Sequence, residues 1–250
     1  MPTTDDRVFN QAPPKTLFHY TNQSGLLGIV QSKSIWVTHC EYLNDQREFF
    51  HALDIVVTEL EERVQKSSGV DQTMWQEMLH GIKGHPAMNV CVCSFSEDGD
   101  SLSQWRAYGG ATSGYSLGIP GDLVLRAATA NTCRLAKCIY DPDEQRDLVR
   151  ILVEEVFQEN VARKERERTG TQTPNDEDVP EGGFLPARLN RYAPVIKHHK
   201  FSDESEWRVI SRPTMNRRFL FREGKSTVVT YISLPLETGE VQFAINEVVV

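Results

Sequence analysis

Leu17-Phe18-His19-Tyr20-Thr21-Asn22-Gln23-Ser24-Gly25-Leu26-Leu27-Gly28-Ile29-Val30 changes its period in mid-course. The first five residues, rich in aromatic and β-branched side chains, read as a short strand. Asn22 and Ser24 then offer oxygens that can cap a helix, and Leu26, Leu27, Ile29 and Val30 recur at helical spacing. Ile35-Trp36-Val37-Thr38 follows as a second strand, so the chain opens as strand, short helix, strand. Beyond it a long helix is predicted over 45–66, with Phe49, Phe50, Leu53, Val56, Val57 and Leu60 on its core stripe, and a weaker one over 71–83. Strands are predicted at 88–96, 114–119 and 134–140, with a short helix between the first two that ends at Gly109. Asp141-Pro142 starts a long charged helix to 168, and 184–196 is helical with a break at Pro194. Strands at 206–211, 227–234 and 242–250 close the chain. Strands gather toward the carboxyl side, helices are inserted earlier, and β-α-β alternation is lacking. That pattern predicts an α+β fold with a mostly antiparallel sheet.

The expected organisation is a flexible leader over 1–14, containing Pro13-Pro14, and a single domain over 15–250. Within it, 169–183 (TGTQTPNDEDVPEGG) is acidic, rich in Pro and Gly and aperiodic, and is expected to be a mobile loop. The last residues, ending at Val250, form an apolar strand with no polar exit, which reads as a chain cut short.

Composition narrows the function classes. With 39% apolar and 25% charged residues, 16 Gly and 12 Pro, the 250 residues are neither collagen-like nor low-complexity nor wholly disordered. Twenty-seven basic against 35 acidic residues give a net charge of -8, which disfavours a protein held on nucleic acid by phosphate neutralisation alone. Neither a signal-peptide pattern nor an apolar run of about 18 to 20 residues is present, so a cytoplasmic protein with no membrane partner is expected. Cys40, Cys91, Cys93, Cys133 and Cys138 make no Cys-x-x-Cys and lack His at zinc spacing; they read as buried thiols, and no metal is expected. His198 and His199 are adjacent and cannot converge on one ion from a helix or strand. The P-loop, dinucleotide-fold, hydrolase-elbow and zincin signatures are all missing.

Three constellations carry possible chemistry. His19, which shares a strand face with Leu17 and Thr21, looks out from an otherwise apolar strand beside a hydroxyl, though a core histidine satisfied by a carbonyl would look the same. Ser94 and Ser96 face one way at a strand end, followed by Trp105 and Tyr108 at i, i+3, which make a flat wall suited to a planar heterocycle or simply pin a loop. Glu204, Glu206 and Arg208 share one face if 203–210 is a strand, and paired carboxylates raise each other's cost of ionisation unless a cation such as Arg208 meets it. An exposed Glu/Arg pair is the plain alternative. Lys197-His198-His199-Lys200 just upstream forms a cationic patch that either meets a pyrophosphate or is a solvated helix end.

In order, His19-Tyr20-Thr21 with its short helix, Tyr42-Leu43-Asn44-Asp45-x-x-Glu48, Cys93-Ser94-Phe95-Ser96, Trp105-x-x-Tyr108-Gly109 and Glu204-x-Glu206-Trp207-Arg208 resemble the bacterial domain-of-unknown-function family 2971 over nearly the whole chain. That family has no settled activity. The same order is distantly similar to the ADP-ribosyltransferase superfamily. This resemblance implies a split sheet around NAD, with His19 on a ribose hydroxyl and Tyr20 and Thr21 beside it. It further implies Ser94 and Ser96 at the nicotinamide ribose, Trp105, Tyr108 or Tyr115 stacked on nicotinamide, and Arg208 in the binding set. Glu206 would be the catalytic carboxylate and Glu204 the first position of an E-x-E pair. Nicotinamide–ribose cleavage passes through an oxocarbenium-like state, which a fixed carboxylate stabilises only as charge develops. The implied function is an NAD-dependent ADP-ribosyltransferase or NAD glycohydrolase, acting as a toxin or phage-defence effector on a protein or nucleic-acid acceptor. The alternatives are a non-catalytic nucleotide- or nucleic-acid-binding module and a partner-binding protein that uses its long helices.

Overall fold

A computed structural model describes residues 3–42, 46–84, 90–108, 114–171, 184–213, 219–224, 227–237, 239 and 242–250, with 46–49 as backbone only. The elements are α1 (Thr4–Phe9), β1 (Thr16–Asn22), α2 (Gln23–Ser32), β2 (Ser34–His39), α3 (Gln46–Lys66), α4 (Gly69–Gly84), β3 (Cys91–Ser96), α5 (Leu102–Tyr108), β4 (Gly114–Pro120) and α6 (Gly121–Ala130). They continue with β5 (Arg134–Lys137), α7 (Pro142–Thr169), α8 (Phe184–Tyr192), β6 (Glu206–Ile210), β7 (Leu220–Glu223), β8 (Val228–Pro235) and β9 (Glu247–Val249). Short 3-10 turns occupy Cys40–Tyr42, Ala193–Val195 and His199–Glu204.

The strand–helix–strand opening forms because Asn22 accepts from the Gly25 N–H and caps α2, and Lys33 ends the helix in a left-handed conformation with φ 50°. The long charged helix α7 is set in the same way. Asp141 accepts from the N–H groups of Asp143 and Glu144, Pro142 fills the first turn, and Gly170 at φ 69° stops it.

Everything in the sheet attaches through β3. β6 runs along one edge of it, from Val92↔Ile210 to Ser96↔Glu206. A strand has two edges, so β1 and β2 must share the other. β2 takes the start of that edge, at Thr38↔Val92 and His39↔Cys91, and β1 takes its end, at Phe18↔Ser96. Residues 93–95 have no strand partner there, and the sheet forks. One arm continues through β4 and β9, the other through β8 and β7, while β5 pairs beyond β6. All these strand pairs are antiparallel, in keeping with the α+β expectation.

Apolar side chains fill both faces. Ala52, Val56 and Leu60 of α3, Met74 and Met78 of α4, Leu152 and Val156 of α7 and Leu189 of α8 pack on one side with Ala136 and Ile210 of the sheet. Leu17, Phe95, Leu117, Trp207 and Val209 pack on the other with Leu123, Val124 and Ala127 of α6. Among the described residues, no helix is long and apolar enough to cross a membrane.

The sequence expectations need correction in six places. The first 14 residues are not all a loose leader: Thr3 caps α1 in a capping box, Val8 is buried, and Tyr192 donates to Asp5 at 2.6 Å. α6 follows β4 without a turn, and β7 is an added edge strand. β5 stops at Lys137, and the last strand is confined to Glu247–Val249. Glu204 is not on the strand: Ser205, at φ 42°, breaks the extended run between it and Glu206. Most of the acidic loop, 172–183, lies outside the described residues, as does 43–45 of the Tyr42 turn.

Candidate functional site

A cavity of about 790 Å³ opens in the fork, within the size range of small-molecule sites. β1, β2 and β3 wall it, the first turns of α2 close one side, and Gln104 and Tyr108 of α5, Arg222 and Glu223 of β7 and the following Gly224 complete the rim.

His19 stands at the branch point. Its Nδ1 lies 3.0 Å from the carbonyl oxygen of Ser94, in the stretch of β3 that the fork leaves without a strand on that side. A carbonyl can only accept, so Nδ1 carries the proton and Nε2 of the neutral ring is left as an acceptor. Burial lowers the imidazole pKa against the raising effect of the Ser94 bond, which keeps the ring neutral at pH 7. The ring packs on Phe95 at 5.6 Å and has the Cys93 Sγ 3.8 Å from Nδ1.

Tyr20, Thr21, Ser94 and Tyr108 border the same cavity. The Tyr20 hydroxyl donates to the Asp98 carbonyl at 2.7 Å and accepts from the Ser101 N–H at 2.8 Å, which ties β1 to the loop before α5. A Cβ on Gly25 would lie 1.9 Å from the Thr21 hydroxyl oxygen, so glycine lets α2 start this close to β1 with Thr21 in its present position.

The remaining expected residues lie elsewhere. Ser96 is buried, donates to the Glu204 carbonyl at 2.8 Å and accepts from the Asp98 N–H. Trp105 sits edge-on to Tyr20 with ring centroids 4.8 Å apart, and its Nε1 donates to Asp100. Tyr115 is paired opposite Thr21 and, like Ser96 and Trp105, does not border the cavity.

Glu204, Glu206 and Arg208 meet in a buried ionic cluster on the helical side of the sheet. Arg208 donates through Nε and Nη2 to the two oxygens of Glu206 at 2.8 and 2.9 Å, and through Nη1 to the Pro194 carbonyl at 2.7 Å. Lys197 bridges Glu206, at 2.5 Å, and Glu204. Lys197 is only 2% exposed and belongs to this cluster, apart from the rest of the 197–200 patch, of which His199 and Lys200 are exposed. Burial alone would raise the Glu206 pKa, but Arg208 and Lys197 outweigh it and hold the carboxyl at about 2. Lys197, Glu206 and Arg208 are thus buried together with their charges paired, and Glu204 joins them from a partly exposed position, the condition under which buried charge is tolerated.

The register explains why His19 and Glu206 do not meet. Ser94 and Ser96 face the same side as Arg208 and Glu206, whereas Cys93 and Phe95, on which His19 packs, face the other. Tyr108 lies between cavity and cluster: burial, and next the charge of Glu206, push its hydroxyl up to about 12. Sequence reasoning missed Lys197 as a cluster member, and it missed Trp36, Thr38 and Arg222 at the cavity.

Comparison with curated proteins and with solved structures gives no match. Residues 104–209, which run from α5 into β6 and carry the whole ionic cluster but little of the cavity wall, match the model of a family described as protein of unknown function (DUF2971).

Proposed function

We propose that the forked cleft binds a nucleotide, with NAD as the ligand. The observation that carries this reading is the opening of the sheet at Ser94, where His19 holds the unpaired carbonyl and keeps an acceptor nitrogen in reserve. Ser94 and Thr21 line the cavity from the two sides of the fork and carry hydroxyls that suit a sugar, and Tyr108, 41% exposed although its hydroxyl is buried, brings an aromatic ring that suits a heterocycle. In a titration of the purified protein with NAD, saturable binding that His19→Ala and Ser94→Ala each weaken at least tenfold is the expected result. Wild-type affinity in both variants would remove the cleft from the account.

A second reading, ADP-ribosyl transfer or NAD hydrolysis, is favoured by the position of Glu206 beyond Tyr108 and by its full ionisation, the state in which a carboxylate stabilises an oxocarbenium ion. Both oxygens of Glu206 are held by Lys197 and Arg208, so this reading requires the cluster to open when ligand enters. The acceptor would be a protein or nucleic acid, and the setting that of a toxin or phage-defence effector. Release of free nicotinamide, abolished in a folded Glu204→Gln or Glu206→Gln variant, is its expected signature; NAD bound and recovered intact leaves the binding module.

A further inference from the structure

Arg222 borders the cavity, on β7, and among the described residues no carboxylate forms an ion pair with it. Its guanidinium carbon lies 5.1 Å from the centre of the Trp36 ring, and Nη2 approaches the Thr38 hydroxyl at 3.4 Å. Its Nε is buried with no hydrogen-bond partner. The arginines at 63, 134, 188, 191 and 208, by contrast, each face an Asp or Glu. Glu223, the next residue, is exposed at the rim of the same cavity, and strand alternation starts its side chain on the opposite face of β7 from Arg222. A half-buried guanidinium seated on an indole and left without an anion keeps unspent capacity for one.

Resting on the nucleotide reading of the cleft, we infer that Arg222, positioned by Trp36 and Thr38, is the phosphate-holding group of the site, and that its ligands are phosphorylated. A planar fork of N–H donors matches two phosphate oxygens at once, and its indole seat fixes the plane in advance. The chain carries a net charge of -8, so its overall field repels such ligands and a short-range contact must supply the attraction.

The test compares ADP-ribose, inorganic pyrophosphate and adenosine by calorimetric titration into wild type, Arg222→Gln, Arg222→Lys and Ser94→Ala, each checked for a cooperative melt. Arg222→Gln should weaken ADP-ribose and pyrophosphate at least tenfold and leave adenosine unchanged, with Arg222→Lys in between. ADP-ribose bound by Arg222→Gln as by wild type, yet weakened by Ser94→Ala, overturns the phosphate assignment and leaves the cleft standing. Arg222-dependent binding of pyrophosphate without any binding of ADP-ribose supports the assignment and sinks the dinucleotide reading. A folded wild type that binds none of the three overturns both.

Discussion

Glu206 is held by two cations inside the protein, and its removal is a test of charge balance before it is a test of chemistry. In Glu206→Gln, Lys197 and Arg208 would both lose the carboxylate that they share inside the protein. Breaking a buried pair from one side costs about 3–5 kcal/mol, so this variant is expected to melt well below wild type in calorimetry; equal melting temperatures would show that the cluster contributes nothing. The pH dependence has a definite sign. The folded-state pKa of about 2 lies below the ordinary 4.5, so the stabilisation is complete above pH 4.5 and is lost as pH falls from there toward 2. Its size is on the order of 3 kcal/mol, and Glu206→Gln should flatten that part of the acid unfolding curve. Alternation along the strand made Glu206 and Arg208 legible as neighbours on one face. Lys197 was not legible, because a 3-10 turn folds it back over the strand, and no periodicity announces such a return.

The helix α2 sets the width of the cleft mouth through one glycine. An alanine methyl at position 25 would fall 1.9 Å from the Thr21 oxygen, forcing Thr21 to turn or the first turn of α2 to lift. Overpacking of this kind costs about 1–3 kcal/mol, and Gly25→Ala should lose both stability and NAD affinity. Gly28, in the same helix, has nothing within 4 Å of an added Cβ, and Gly28→Ala should gain up to about 1 kcal/mol from helix propensity. Opposite shifts in melting temperature are the expected result, and equal shifts would mean that the helix position is not fixed by Gly25. α2 and its flanking strands were readable because the period changes at a capping residue. α6 was not, since Pro120 ends β4 and caps the helix with no side-chain bond and no intervening turn residue. β7 escaped because three of its four residues are exposed, which leaves no buried face to write an alternation.

The five cysteines report on the whole fold. All are buried thiols, as the spacing without Cys-x-x-Cys suggested, and they lie in or beside the sheet, with Cys91 and Cys93 on β3 itself. Burial raises the thiol pKa at Cys40, Cys91, Cys93 and Cys133, to about 12 at Cys91 and about 11 at Cys133, so little thiolate exists there at neutral pH even where reagent arrives. Cys93 is raised further by the nearby charge of Glu206. Reaching Cys91 and Cys93 requires the two arms, β6 and the apolar layer of α6 to separate, which amounts to global opening. Alkylation followed by intact mass is therefore expected to show native molecules with no label or with all five, and few in between. A steady single-label species would identify a local opening instead. Ligand bound in the fork ties both arms to β3 and must slow this labelling by the factor one plus ligand concentration over Kd, about a hundredfold at 100 times Kd. NAD that leaves the labelling rate untouched at saturating concentration would not be binding the folded state, and the nucleotide reading of the cleft would fall with it.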